Sequence, residues 1–155
     1  MKDFTIREII EYAANIESES HKFYTAAAAK VTDPDTKTLA AELSEEETGH
    51  YNHLQDLISK ERLTSSELDK IVTDIDLSDR LVKTDEIDFS SDPIDILEIA
   101  LEREINTERL YTTYLTFTNL PQDVIKVFED LKNQERGHQN RIKTIIKKIT
   151  TPHIF

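Results

Sequence analysis

Glu47-Thr48-Gly49-His50 recurs 88 residues later as Glu135-Arg136-Gly137-His138. Residues at i and i+3 share one face of a helix, so each tetrapeptide presents a carboxylate and an imidazole to a single cation. One such tetrapeptide arises easily by chance in a chain with 31 acidic residues and 5 histidines; two copies inside a wider repeat do not. Leu43 and Leu131 keep the 88-residue offset, while Ala13, Glu17, Tyr24 and Pro34 match Ala100, Glu104, Tyr111 and Pro121 at 87. A single inserted residue accounts for the slip. The pattern reads as a duplicated helical hairpin.

Working outward, four long helices are predicted. Thr5 and Glu8 have the spacing of a capping box, and Phe4 with Ile9 that of a hydrophobic staple. Apolar residues then recur at Ile6, Ile9, Ile10, Ala13, Ile16, Phe23 and Tyr24. Asp33-Pro34 ends this helix and opens a second, which carries Leu39, Leu43, His50, Leu54, Leu57 and Ile58. Asp92-Pro93 repeats the cap-then-Pro signature and opens a third, with Ile96, Leu97, Ala100, Leu101, Ile105 and Tyr111. Asn119-Leu120-Pro121 breaks it and starts a fourth that continues to about Ile149.

Between the hairpins lie 32 polar, acidic residues, Glu61 to Asp92, with one short helix expected after Ser65-Ser66. That is too long for a tight helix–helix turn and long enough to run the length of a bundle. Its apolar positions are Leu68, Ile71, Val72, Leu77 and Leu81. The expected architecture is one all-α domain over residues 1–155. It has a hairpin at about 5–60, a crossover at about 61–92 and a hairpin at about 93–149. This is the connection scheme of a ferritin-like four-helix bundle with one crossover.

The four-helix di-iron arrangement takes one Glu from each of two helices and Glu-x-x-His from each of the other two. The chain supplies Glu17, Glu104, Glu47 with His50, and Glu135 with His138. The heights agree. Glu17 lies 15 residues before the turn at Thr32, and Glu47 lies 13 after Pro34; these are about 22 and about 20 Å of helix. Glu104 and Glu135 are 15 and 14 residues from Asn119 and Pro121. Four core carboxylates need counter-charge, and no Lys or Arg recurs at both hairpins to provide it. Two divalent cations would balance them. The mixed O/N set suits Fe, and less diagnostically Mn or Zn. The alternative is a solvated Glu-rich helical face. Both glycines of the chain, Gly49 and Gly137, precede the two His, which suggests close packing near the site.

The formal net charge is −12, and no basic stripe for nucleic acid is visible. An anionic membrane would repel the chain, and no apolar run is long enough to span one. With no Cys, disulfides and thiolate metal sites are excluded. The expected location is the cytoplasm.

With these residues in hand, the chain resembles the rubrerythrins of the ferritin-like superfamily over the whole bundle. Glu17-Ser-Glu-Ser-His-Lys-Phe23-Tyr24 is similar to the family's E-x5-[FY]-Y segment, and the two Glu-x-x-His motifs complete the likeness. The resemblance implies single-Glu ligands at Glu17 and Glu104 and often-bridging carboxylates at Glu47 and Glu135. It implies imidazole ligands at His50 and His138, and hydrogen bonds from Tyr24 and Tyr111 to ligand carboxylates. It further implies two Fe ions, peroxide or O2 as the oxidant and a homodimer. Two departures stand out. The cysteine-bound rubredoxin-like iron of rubrerythrin has no counterpart in these 155 residues, so electrons are expected from a separate donor protein. Thr107 stands where the family has an extra ligand Glu. A di-iron oxidoreductase is the leading reading, with peroxide favoured because no long substrate cleft is evident. A ferroxidase or iron-binding and storage module is the main alternative, and a metal-stabilised structural or partner-binding bundle the third.

Lesser candidates read as structural. His21 and Glu108 each follow a single Glu by four residues; His21 is expected to be a partly buried structural His. His53 and His153 read as surface His. Glu45, Glu46, Glu98 and Glu102 read as solvated or inter-helix pairs, and Tyr12 and Tyr114 as core.

Overall fold

The computed structural model describes residues 3–60, 62–72 and 92–151. In chain order these form β1 (Phe4–Thr5), α1 (Ile6–Lys30), α2 (Pro34–Ser59), α3 (Ser65–Leu68), β2 (Ile71–Val72), α4 (Pro93–Tyr114) and α5 (Gln122–Thr150). The predicted Leu77, Leu81 and His153 lie outside the described residues. α1 packs along α2 and α4 along α5, and the two hairpins meet through α2 against α5 and α1 against α4.

The helix starts follow the local chemistry. Thr5 and Glu8 exchange side-chain-to-backbone bonds of 3.1 Å each, closing the capping box. Asp33 accepts from the Thr36 N–H at 2.9 Å, and Asp92 from the Ile94 N–H at 3.0 Å, each just ahead of a Pro at the first helical position. α4 ends at Tyr114, five residues before Asn119. A turn follows in which Thr116 and Phe117 donate to the carbonyls of Thr113 and Tyr114, and Asn119 takes the left-handed region at φ 69°. The short helix begins at Ser65, capped by Thr64.

The sequence reading did not foresee the β1–β2 pair. Phe4 faces Val72 and Thr5 faces Ile71 in an antiparallel register, and the Ile6 N–H donates to the Lys70 carbonyl at 3.0 Å. With Leu68 and Val72 buried, the start of the crossover is stitched to the N-terminal end of α1.

The apolar core falls into two clusters. One gathers Ile6, Ile9, Leu54, Leu57, Tyr114 and Phe128; the other gathers Phe23, Leu39, Leu43, Ile96, Leu97 and Ile142. Along every long helix the stretch between the clusters carries buried polar side chains: Glu17 and Ser20; Glu47 and His50; Arg103, Glu104 and Thr107; Glu135, His138 and Gln139. A polar layer therefore divides the bundle at mid-height, with an apolar cluster on each side.

Candidate metal centre

The polar layer contains all six residues singled out from the sequence. Glu17, Glu47, His50, Glu104, Glu135 and His138 are each at most 2% exposed. They fall into two groups whose donor atoms lie within 4.8 Å of one another: Glu17, Glu47, His50 and Glu135, and Glu47, Glu104, Glu135 and His138. Glu47 and Glu135 belong to both. Each imidazole turns Nδ1 inward. His50 Nδ1 lies 3.2 Å from Glu17 and 3.0 Å from Glu135, and His138 Nδ1 lies 3.0 Å from Glu47 and 3.4 Å from Glu104. The two rings stack at 5.3 Å with 7° between their planes.

The tyrosines cross between hairpins. Tyr24 of α1 donates to Glu104 of α4 at 2.5 Å, and Tyr111 of α4 donates to Glu17 of α1 at 2.7 Å. Each anchors the outer carboxylate of the opposite hairpin, as an approximate two-fold of the duplicated hairpin requires.

Charge is distributed unevenly within this symmetry. Burial pushes the Glu17 carboxyl up, but hydrogen bonds with Glu47, His50 and Tyr111 and the His50 charge outweigh it and hold Glu17 at about 2. Glu104 is likewise held below its ordinary value: burial is outweighed by the neighbouring Glu135 carboxyl, the His138 ring and the Tyr24 hydroxyl. Glu47 and Glu135 go the other way, raised well above by burial and then by the charges of Glu17 and Glu104.

Four carboxyls crowded in this way would be relieved by cations. Glu47 Oε1, Glu104 Oε2 and both His138 ring nitrogens are buried without a hydrogen-bond partner among the described residues; His138 Nδ1 lies 3.0 Å from Glu47 but in the wrong geometry for a bond. Unpaired Glu47 and Glu104 oxygens and the inward His138 Nδ1 fit a metal pair better than a hydrogen-bonded network, which leaves few groups unpaired. Carboxylate oxygens with two imidazoles form a hard-to-borderline donor set, the kind that suits iron, manganese or zinc.

One element of the charge balance escaped the sequence reading. Arg103 is buried at 6% exposure, its guanidinium 5.0 Å over the Phe23 ring and 3.4 Å from the Ser20 hydroxyl, and its charge favours ionised Glu47. Its counterpart in the first hairpin is Ile16, so no repeat signalled it. With two divalent cations, four ionised carboxylates and this guanidinium, the layer would carry a net charge of about +1. Two further expectations need correcting or placing. A Cβ on Gly49 or Gly137 would meet nothing within 4 Å, so close packing does not explain the glycines. Thr107 is buried and its hydroxyl donates to the Arg103 carbonyl at 2.9 Å, leaving no carboxylate at that position.

The lesser candidates lie outside both groups. His21 joins α1 to α2 through the Ser44 carbonyl at 2.9 Å and the Ser44 and Thr48 hydroxyls. Glu108 pairs with Arg136 at 2.8 Å and Gln139 at 2.7 Å. Glu46 forms an inter-helix pair with Arg141, His53 is exposed, and Tyr114 is core.

Helix pairing and the mid-bundle acid–imidazole layer define a ferritin-like bundle with groups that could hold metal between its helices. A crystal structure described as a ferritin-like diiron-carboxylate protein from Thermotoga maritima superposes with a TM-score of 0.72. It covers 98% of this chain and 99% of that one at 19% identity, which shows the shared fold. The rubrerythrin family model matches residues 8–146, and the chain belongs to the rubrerythrin family. No curated protein matches it. Among the described residues no helix is long and apolar enough to cross a membrane.

Proposed function

We propose that the chain is a non-haem di-iron protein that reduces peroxide, or O2, at a metal pair held by Glu17, Glu47, His50, Glu104, Glu135 and His138. The observation that carries the reading is the sharing of Glu47 and Glu135 between two overlapping groups of donors. Two positions with common carboxylates are what a two-electron reaction needs. When bound, two ferrous ions supply the two electrons that peroxide takes up, with two protons, on its reduction to water.

The chain's own residues do the rest. Glu47 and Glu135, common to both donor groups, would hold both ions, and binding would favour their ionised form. Glu17 and Glu104 close the two ends, held in orientation by Tyr111 and Tyr24. The apolar plugs on either side keep bulk water out. The reading extends to a soluble, cytoplasmic homodimer that takes electrons from a separate donor protein.

A second reading, iron oxidation and transfer without turnover of another substrate, is favoured by Thr107, since a hydroxyl tied to Arg103 cannot act as an additional ligand. Stopped-flow absorbance of anaerobically Fe(II)-loaded protein separates the two. Oxidation by peroxide faster than by O2, and lost in Glu47→Ala, supports the first; O2-driven oxidation with release of Fe(III) supports the second. Equal rates in wild type and Glu47→Ala would refute both. Light scattering distinguishes a dimer from a storage shell.

A further inference from the structure

Arg103 brings a full positive charge into the polar layer without an anion of its own. It is 6% exposed, and its guanidinium rests 5.0 Å over the Phe23 ring. Nη2 donates to the Ser20 hydroxyl at 3.4 Å, while Nε is buried with no hydrogen-bond partner. Among the described residues no Asp or Glu forms an ion pair with it. A ring face, one hydroxyl and an orphaned donor replace water poorly, and a guanidinium buried this deeply is ordinarily tied to a carboxylate. Packing does not require the charge: an aliphatic side chain, Ile16, 3% exposed, fills the equivalent place in the first hairpin. The carboxyls that stand near it are those of the layer. Glu104 is its neighbour in the chain, and its field reaches Glu47.

A buried charge is weakly screened, and it repels each cation beside it in proportion to that cation's own charge. With four ionised carboxylates, the guanidinium raises the formal charge of a layer holding two divalent ions from about zero to about +1. With two trivalent ions the change is from about +2 to about +3, and the repulsion is half as large again. We propose that Arg103 is a fixed counter-charge of the metal layer, which weakens its hold on cations and favours a ferrous pair over a ferric one. The inference rests on the metal-pair reading above. The carboxylates and imidazoles decide where the ions sit; Arg103 decides how tightly and in which oxidation state they are kept.

The test compares wild type with Arg103→Met and Arg103→Gln, which remove the charge, and with Arg103→Lys, which keeps it. Ser20→Ala removes the hydrogen bond to the guanidinium and leaves the charge. Circular dichroism checks the folding of each. Competition of metal-stripped protein with a chromophoric chelator gives the Co(II) affinity. Both neutral variants are expected to bind Co(II) about tenfold more tightly than wild type, and Arg103→Lys and Ser20→Ala to stay close to wild type. Equilibrium reduction of iron-loaded protein by a mediated electrode, one electron per ion, gives the midpoint potential. The neutral variants should lower it, each tenfold gain in ferric over ferrous preference amounting to about 59 mV, and Arg103→Lys should not. A merely structural role would loosen metal binding in the neutral variants and would not be rescued by Lys. Neutral variants that bind cobalt no more tightly than wild type, an unmoved potential, or an Arg103→Lys that behaves like Arg103→Met overturns the inference and leaves the metal pair standing. Wild type that binds no cobalt overturns both.

Discussion

Two neighbouring tyrosines in the bundle core should respond oppositely to the same one-atom change. Tyr111 and Tyr114 are both fully buried, with ring centroids 6.4 Å apart and each in contact with Phe128. Tyr111 donates to Glu17 at 2.7 Å, whereas the Tyr114 hydroxyl has no hydrogen-bond partner among the described residues. Phe preserves both packings. Tyr111→Phe removes a hydrogen bond to an ionised acceptor, about 1.5–3 kcal/mol. For a chain of this size that lowers Tm by about 3–12 °C. Tyr114→Phe removes a buried unpaired hydroxyl and should be neutral or stabilising by about 1 kcal/mol.

The pH dependence gives a second check on the same pair. Tyr111 helps to hold Glu17 at about 2, so this part of the stability is present above the ordinary carboxylate range and fades as the pH falls toward that value. The Tyr111→Phe deficit should therefore narrow in acid, and Tyr114→Phe should show no such trend. Thermal unfolding of metal-stripped protein followed by circular dichroism reads both. A Tyr111→Phe cost no larger than that of Tyr114→Phe would refute the argument that these hydroxyls are arranged to hold carboxylates.

Other expectations concern the metal layer and its helices. His50→Ala and His138→Ala should each weaken one metal, while Glu47→Ala and Glu135→Ala should lose more, because each of these carboxylates serves both positions. His21→Ala should keep two metals per chain, and elemental analysis after dialysis reads all five ratios. Glu47 and Glu135 are raised in the folded chain, so their stabilising share is full below the ordinary carboxylate range and lost as pH rises through the raised values. Metal-stripped protein should lose Tm on that account, while the Tm gained on metal loading grows with pH because cations displace the same protons. Calorimetry between about pH 5 and about pH 8 tests the opposed slopes. Gly49→Ala and Gly137→Ala should each stabilise by about 0.5–1 kcal/mol, since helical Gly is costly and the added methyl meets open space; denaturant titration measures this.

The helices and the layer were legible because both are periodic. Apolar spacing located four long helices, and the repeat of Glu17, Tyr24 and Glu47-x-x-His50 at Glu104, Tyr111 and Glu135-x-x-His138 placed six donors at one height. What escaped was aperiodic. Two-residue strands such as Phe4–Thr5 and Ile71–Val72 are too short to alternate detectably. Arg103 is buried because Phe23 and Ser20 of another helix receive it, and its partner position is Ile16. That Gln134 bonds His50 and Glu46 lies near His138 is visible in sequence only once the crossing of the hairpins is known. The glycines misled, because their coincidence with the motif suggested packing where the structure has open space.

The central claim is a pair of metal ions sharing Glu47 and Glu135. Crystals of natively loaded protein, with diffraction recorded on both sides of the iron absorption edge, test it most directly. The account predicts two iron-specific peaks per chain, both touching Glu47 and Glu135, one beside His50 and Glu17 and the other beside His138 and Glu104. A single peak, or metal bound away from these six residues, would contradict it.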